Sequence, residues 1–246
     1  MTTNNGKTSP FRSKLLSGPD VKGVVHAFLG RYEDQKELDE MITEEFNVDS
    51  ESVVTIDQVH GSSVMLLEKP LKESSFYRKQ EGDAIVTALF GVPIAIRSAD
   101  CMPILFYDNK TFTIGVAHAG WRSTLDRVAI KTIEAMQKEF GSNPEDIKAA
   151  FGPSIGPCCY YVEPQMVKKF AKEGLNINSF IISDNSTRLD LGLANTNQLI
   201  GAGLKIENIS SKAPCTYHNN KLYYSFRAEG DKASRQLSIL MMKGSR

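Results

Sequence analysis

Four short apolar runs, at residues 84–88, 93–97, 104–107 and 113–117, crowd into one stretch of the chain. Each is rich in β-branched residues and bounded by Gly, Pro, Asp or Asn, the composition of strands separated by turns. Strands gathered in this way, with helices inserted irregularly elsewhere, do not make the strand–helix beat of a doubly wound parallel sheet. They predict an α+β fold, a single-domain sandwich with mixed sheets. No GxGxxG opens a helix after a strand and no GxxxxGK[ST] occurs, so neither a Rossmann nor a Walker phosphate loop is expected. Further strand-like runs lie at 21–28, 53–59, 64–67 and 149–151. An amphipathic helix is expected over 33–46, with Leu38, Met41, Ile42 and Phe46 on one side. A long helix is expected over 125–140, capped by Ser123 or Thr124, with Asp126 at its positive end and Gly141 as its stop. Two further helices, 164–173 and 192–203, alternate with short strands toward the end. Residues 1–20 are polar and aperiodic and read as a mobile tail, leaving 21–246 as the folded domain.

Charge and composition narrow the function classes. The 246 residues carry 29 basic and 29 acidic side chains. A net charge of zero gives no molecule-wide field for gripping nucleic-acid phosphates, and no nucleic-acid partner is expected. The apolar stretches fall well short of the roughly 18 residues of a spanning helix, and the N-terminus lacks the apolar core of a secretory signal. A cytoplasmic protein without a membrane partner is the expectation. Four cysteines (Cys101, Cys158, Cys159, Cys215) are too few for a disulfide scaffold in a chain of this length. Two of them are adjacent, a spacing that rarely bridges without strain, so all four read as reduced thiols.

The chemistry gathers in three short segments: QVHGSSV around His60, SADCMPILF around Cys101 and VAHAGWRST around His118. Each puts a His or Cys at the end of an expected strand, where a rigid scaffold presents reactive groups. Two imidazoles and one thiolate are a familiar zinc ligand set, with the fourth position open to water or substrate. The wide gaps between the three residues match no zinc-finger spacing. The alternative is a buried, inert thiol and two histidines that satisfy core hydrogen bonds. Asp100 beside Cys101, and Arg122 directly after the single tryptophan, put charge at otherwise apolar strand ends, which is costly unless paired or exposed in a site. Arg122 offers a bidentate fork to phosphate or carboxylate, or else a salt bridge to Asp100 or Asp126. Cys158 and Cys159 follow a Gly-Pro loop and read as packing residues; His218, in TYHNNK, reads as a surface turn residue.

The ordered set QVHG, GDAIVT, SADCMPILFYD, AHAGWRST and FGPSIGPCCYYV resembles the YfiH/YlmD family, also known for its multicopper polyphenol oxidase or laccase domain. The resemblance runs from about Gly23 to Arg235. It implies an α/β/β/α-type domain with one zinc ion per chain held by His60, Cys101 and His118. It further implies phosphorolysis of adenosine, inosine, guanosine and methylthioadenosine, deamination of adenosine, and, in one bacterial branch, editing of peptidoglycan precursors. The sequence departs from the family pattern at three places. HAFLGRYED keeps His26 and Arg31 but loses a glycine pair, Tyr161 stands where Glu is usual, and SFRAEG keeps Arg227 but has Ala228 for a second arginine.

Two enzyme readings and a binding-module reading follow. In the first, a zinc-dependent purine nucleoside phosphorylase with adenosine deaminase activity, the partners are purine nucleosides and phosphate. Arg122 and Arg31 are then expected to hold phosphate, His26 to lie near the substrate, and Asp100 or Asp83 to handle protons. In the second, a cysteine hydrolase that edits peptidoglycan precursors uses Cys101 as nucleophile and His118 as base. A non-enzymatic zinc module is the poorest reading, because a structural site calls for a fourth protein ligand. A multicopper laccase needs roughly ten histidines for its copper centres, and four cannot supply them. Met102 beside Cys101 leaves room only for a lone adventitious copper, although strand alternation should turn its side chain to the opposite face.

Overall fold

Strands that are apolar on both faces decide the layering. In β11 (Gln236–Met242), Leu237, Ile239 and Met241 pack to one side while Leu240 and Met242 pack to the other. β11 lies between β1 (Val24–Phe28) and β4 (Ile94–Ser98), antiparallel to both. The outer face of this three-stranded sheet is covered by α1 (Gln35–Phe46), through the expected stripe of Leu38, Met41, Ile42 and Phe46. Asp34 caps α1 by accepting the Glu37 N–H, and Asn47 ends it in the left-handed conformation.

The inner face meets a second sheet built from β2 (Val64–Leu67), β3 (Ala84–Thr87), β5 (Met102–Asp108), β6 (Thr113–Ala119), β7 (Lys148–Phe151) and β10 (Ile209–Ser210). Its order is β10-β7-β5-β6-β3-β2, with β2–β3 and β7–β10 parallel and the other pairs antiparallel. Leu105 and Tyr107 of β5 share the inter-sheet core with Ile96 and Leu240. Ile104 and Phe106 turn the other way, onto α3 (Val128–Phe140) and α5 (Leu191–Gly201). α4 (Gln165–Lys172) and the hairpin of β8 (Phe180–Ser183) and β9 (Ser186–Leu189) join that outer core through Phe170, Phe180 and Leu189. Helix, three strands, six strands, helices: the molecule is an α/β/β/α sandwich with mixed sheets, as the sequence predicts. These features come from a computed structural model that describes residues 9–19, 21–69, 79–183, 185–210 and 212–244. Among them no helix is long and apolar enough to cross a membrane.

Three local expectations need correction. Residues 9–19 are part of the fold and not a tail: Phe11 exchanges backbone hydrogen bonds with Phe28 at 2.9 and 3.0 Å, and Leu16 is buried between the sheets. Two well-placed apolar side chains anchor an otherwise polar segment; residues 1–8 and 20 lie outside the described residues. The run at 53–59 forms no strand. Val54 pairs with Pro93 and Ala95 beside β4, whereas Asp57 pairs with Gln80 and Gly82 ahead of β3, so the segment crosses from one sheet to the other.

The expected helix 125–140 is two helices, α2 (Trp121–Leu125) and α3. The Thr124 carbonyl, which would accept the Val128 N–H in a continuous helix, accepts instead from Arg127 N at 3.1 Å and Gln198 Nε2 at 2.8 Å. Arg127 then takes a left-handed φ of 64°. Ser123 and Thr124 are therefore buried inside α2, whose N-cap is Gly120. Gly141 does stop α3, at φ 72°.

Candidate functional site

β5, β6 and β3 are antiparallel neighbours, so the start of β5, the end of β6 and the start of β3 meet at one end of the sheet. Those three ends carry two of the three chemical motifs together with Asp83. Cys101 immediately precedes β5, His118 lies in β6 opposite Pro103, and Asp83 immediately precedes β3. The loop leading to β2 adds His60. The ligand atoms of His60, Cys101 and His118 all lie within 4.8 Å of one another. The two imidazoles meet edge to face with ring centroids 4.9 Å apart.

Asp83 organises this cluster from behind. Its Oδ1 lies 2.8 Å from His118 Nδ1 and accepts the His60 N–H at 3.1 Å, while Oδ2 accepts the Gly61 N–H at 2.6 Å. With Nδ1 committed to a carboxylate, His118 presents Nε2 to the cluster, the arrangement that orients metal-binding histidines. His60 holds a left-handed φ of 61°, stabilised by the same carboxylate. Gly120 has a steric reason: a Cβ there would stand 2.7 Å from Cys101 Sγ. Burial raises the Cys101 thiol, but the charge and hydrogen bond of His118, helped by His60, outweigh it and bring the group down to about 6. Burial lowers His118, but the Cys101 charge and the hydrogen bond to Asp83 bring it up to about 9. A thiolate flanked by two imidazoles, open on one side, fits a borderline-soft divalent ion.

The open side faces a cleft of about 670 Å³, lined among others by Arg97, Arg122, Arg227, Arg235, Trp121 and Tyr160. Arg122 is exposed and stacks on Trp121, its Cζ 4.5 Å from the ring centroid. Among the described residues it makes no salt bridge to Asp100 or Asp126. Asp100 lines the cleft with a left-handed φ of 84°. Its two oxygens accept Thr216 Oγ1 and the Arg227 N–H, each at 2.6 Å, tying the SADC turn to the C-terminal loop. Both expected proton carriers, Asp83 and Asp100, are thus engaged as hydrogen-bond acceptors.

Arg31 and His26 do not reach the cleft. Arg31 makes a two-point salt bridge to Glu229 at 2.9 and 2.8 Å and lies over the Tyr224 ring. His26, between Val24 and Phe28 on β1, is turned inward by strand alternation; its Nε2 accepts the Ser13 N–H at 2.9 Å. Met102 packs into the outer core, on the face the alternation predicts. Sequence reasoning assigned no role to Arg97, Tyr160, Arg227 or Arg235. Arg97 had a visible signal, a charge on an otherwise apolar strand. Arg227 had none beyond its survival in SFRAEG: its guanidinium donates to the Tyr161 carbonyl at 3.0 Å and sits 5.4 Å from the Tyr160 ring centroid.

Comparison with known proteins follows the same motifs. Residues 32–243 match the family described as multi-copper polyphenol oxidoreductase laccase. The chain is 33% identical over 213 residues to purine nucleoside phosphorylase YlmD of Bacillus subtilis, covering 83% of this chain and 76% of that protein. It is 31% identical over 206 residues to adenosine deaminase RL5 of an unknown prokaryotic organism, covering 81% and 78%. The crystal structure of the Bacillus licheniformis hypothetical protein YfiH superposes with a TM-score of 0.82 at 25% identity, over 89% of this chain and 93% of that one.

Proposed function

The chain belongs to the multicopper polyphenol oxidoreductase laccase family, that of YfiH and YlmD, and from that premise we propose that it is a zinc-dependent purine nucleoside phosphorylase that also deaminates adenosine. Adenosine, inosine, guanosine and methylthioadenosine are its proposed substrates. The observation that carries the reading is the His60–Cys101–His118 cluster opening onto an arginine-lined cleft. Zinc bound there would supply Lewis acidity at neutral pH.

The chain's own groups supply the rest. Arg122, its Cζ over the Trp121 ring, offers phosphate two parallel N–H donors. Trp121 and Tyr160 give the purine an aromatic wall. Burial and the Cys101 charge push the Tyr160 phenol up, so it stays protonated and can donate a hydrogen bond to the base. Asp83 and Asp100 are positioning residues: one fixes His118, the other fixes the turn that carries Cys101. Phosphorolysis breaks the C1′–N9 bond, forms a C1′–O bond to phosphate and returns a proton to the purine. Deamination exchanges the C6 amino group for the oxygen of water and releases ammonia.

A laccase-type centre does not fit. Of the four histidines only His60 and His118 reach this cluster. The cysteine-hydrolase reading has one observation in its favour, the Cys101 thiol brought down to about 6 beside His118. One experiment separates the readings. Zinc-loaded protein is given adenosine, inosine or methylthioadenosine, with and without phosphate, and the products are quantified. Free purine that requires phosphate, with inosine and ammonia from adenosine in its absence, is the expected result. Activity that falls as zinc is added would overturn the metalloenzyme and leave the cysteine nucleophile.

A further inference from the structure

We propose that Cys158, Cys159, Cys215 and His218 hold a second zinc ion, in a closed Cys3His site that clips together two loops beside the cleft. The proposal does not depend on the nucleoside reading. One ligand atom from each of these four residues lies within 4.8 Å of every other. Zinc–sulfur bonds of about 2.3 Å in a tetrahedron set ligand–ligand edges of about 3.8 Å. Cys158 Sγ and His218 Nδ1, 3.5 Å apart, already stand at such an edge.

The backbone is arranged for a ligand set of this kind. Cys215 and His218, with two residues between them, sit in one turn, so their side chains converge from one short segment. Cys215 Sγ accepts the Gly156 N–H at 3.3 Å, a contact that joins the two loops at the sulfur itself. The loops are held in register by Ser154, whose N–H donates to Pro214 O at 3.2 Å and whose carbonyl accepts the Thr216 N–H at 3.0 Å. Gly156 lets them close: a Cβ there would lie 3.2 Å from Cys158 Sγ and 3.3 Å from Cys215 Cβ. Three thiolates and an imidazole fill the coordination shell, so the site has no open position for catalysis and its role is structural.

What it braces is the cleft wall. Tyr160 follows Cys159 directly, and the Cys159 carbonyl accepts Arg227 Nη1 at 3.4 Å. Thr216, next to Cys215, bonds Asp100. Loss of this zinc would loosen Tyr160, Arg227 and Asp100 together.

The test uses the full chain, purified under reducing conditions, loaded with zinc and dialysed. The expected content is about two zinc ions per chain, falling to about one in His60→Ala and about one in Cys215→Ser. In His60→Ala, cobalt should give the intense near-ultraviolet charge-transfer absorption of several thiolates, and that absorption should vanish in His60→Ala/Cys215→Ser. Should Cys215→Ser fail to fold, His218→Ala alters an exposed side chain and should weaken binding of the second zinc at least tenfold. Wild-type protein that holds a single zinc, unchanged in Cys215→Ser or His218→Ala, overturns the proposal. So does an intact mass two hydrogens short under reducing conditions, the mark of a disulfide among these cysteines.

Discussion

Cys101 is the residue at which the competing chemistries part. In metal-free protein its reaction with iodoacetamide should rise with a midpoint near pH 6, because His118 holds it as a thiolate. Exposed Cys158, whose thiol burial pushes up, should react only at higher pH. Zinc should protect Cys101 while activity rises. Peptide mass spectrometry across pH reads this directly, and a Cys101 midpoint in the range of an ordinary thiol would contradict the pairing with His118. Arg122 supplies the second test. Arg122→Lys keeps the charge but loses the planar fork, so the KM for phosphate should rise several-fold while deamination of adenosine, which uses no phosphate, changes little. Equal losses in both reactions would make Arg122 a support of the fold. The three residues of the cluster were legible from sequence because each stands in its own short motif, although only Cys101 and His118 lie at strand ends. The work of Asp83 was not, since it depends on β3 lying beside β6, which puts a residue 35 positions away against the His118 ring.

The elements that sequence periodicity located are those whose partners lie on one side. α1 shows its apolar stripe because a single sheet covers it. The β-dense block from Ala84 to Ala119 was legible for the opposite reason, since burial on both faces makes its strands continuously apolar. The break between α2 and α3 was invisible because its cause, the Gln198 amide, sits on another helix. The far end of α3 was plain, since Gly141 takes a left-handed φ of 72° that an L side chain resists. Nothing lies within 4 Å of a Cβ built there, so Gly141→Ala meets strain and no clash. It should cost about 1 kcal/mol and lower the Tm by roughly 2–4 °C, with activity unchanged. A thermal melt and a nucleoside assay on the same sample check both. No change in Tm would mean that α3 re-ends one residue earlier at no cost.

At the scale of the whole molecule, the N-terminal segment locks the two sheets and α1 into one arrangement, and it does so around a histidine. Arg12 pairs with Glu45 of α1, Leu16 enters the inter-sheet core, and the Ser13 N–H donates to His26 Nε2. Polar composition hid all of this. An accepting Nε2 keeps His26 neutral, and burial, with the Arg12 charge adding to it, lowers the group to about 4. Above pH 6.5 the imidazole is neutral folded or unfolded, and it contributes no pH dependence. Between pH 6.5 and 4 the unfolded chain takes up a proton that the folded protein refuses, so the unfolded state binds more protons and stability falls with pH. The full effect, reached below pH 4, is at most about 3 kcal/mol. His26→Gln can keep an acceptor for the Ser13 N–H without a titrating ring. Urea unfolding of both proteins from pH 7 to 4 should therefore show curves that converge at low pH, with the wild type losing more of its stability. Carboxylates titrate alike in the two proteins and cancel in the difference. Parallel curves would mean that the His26 ring gains its proton and gives up the Ser13 N–H at no cost to folding, so that the N-terminal segment is held by Phe11, Leu16 and the Arg12–Glu45 pair alone.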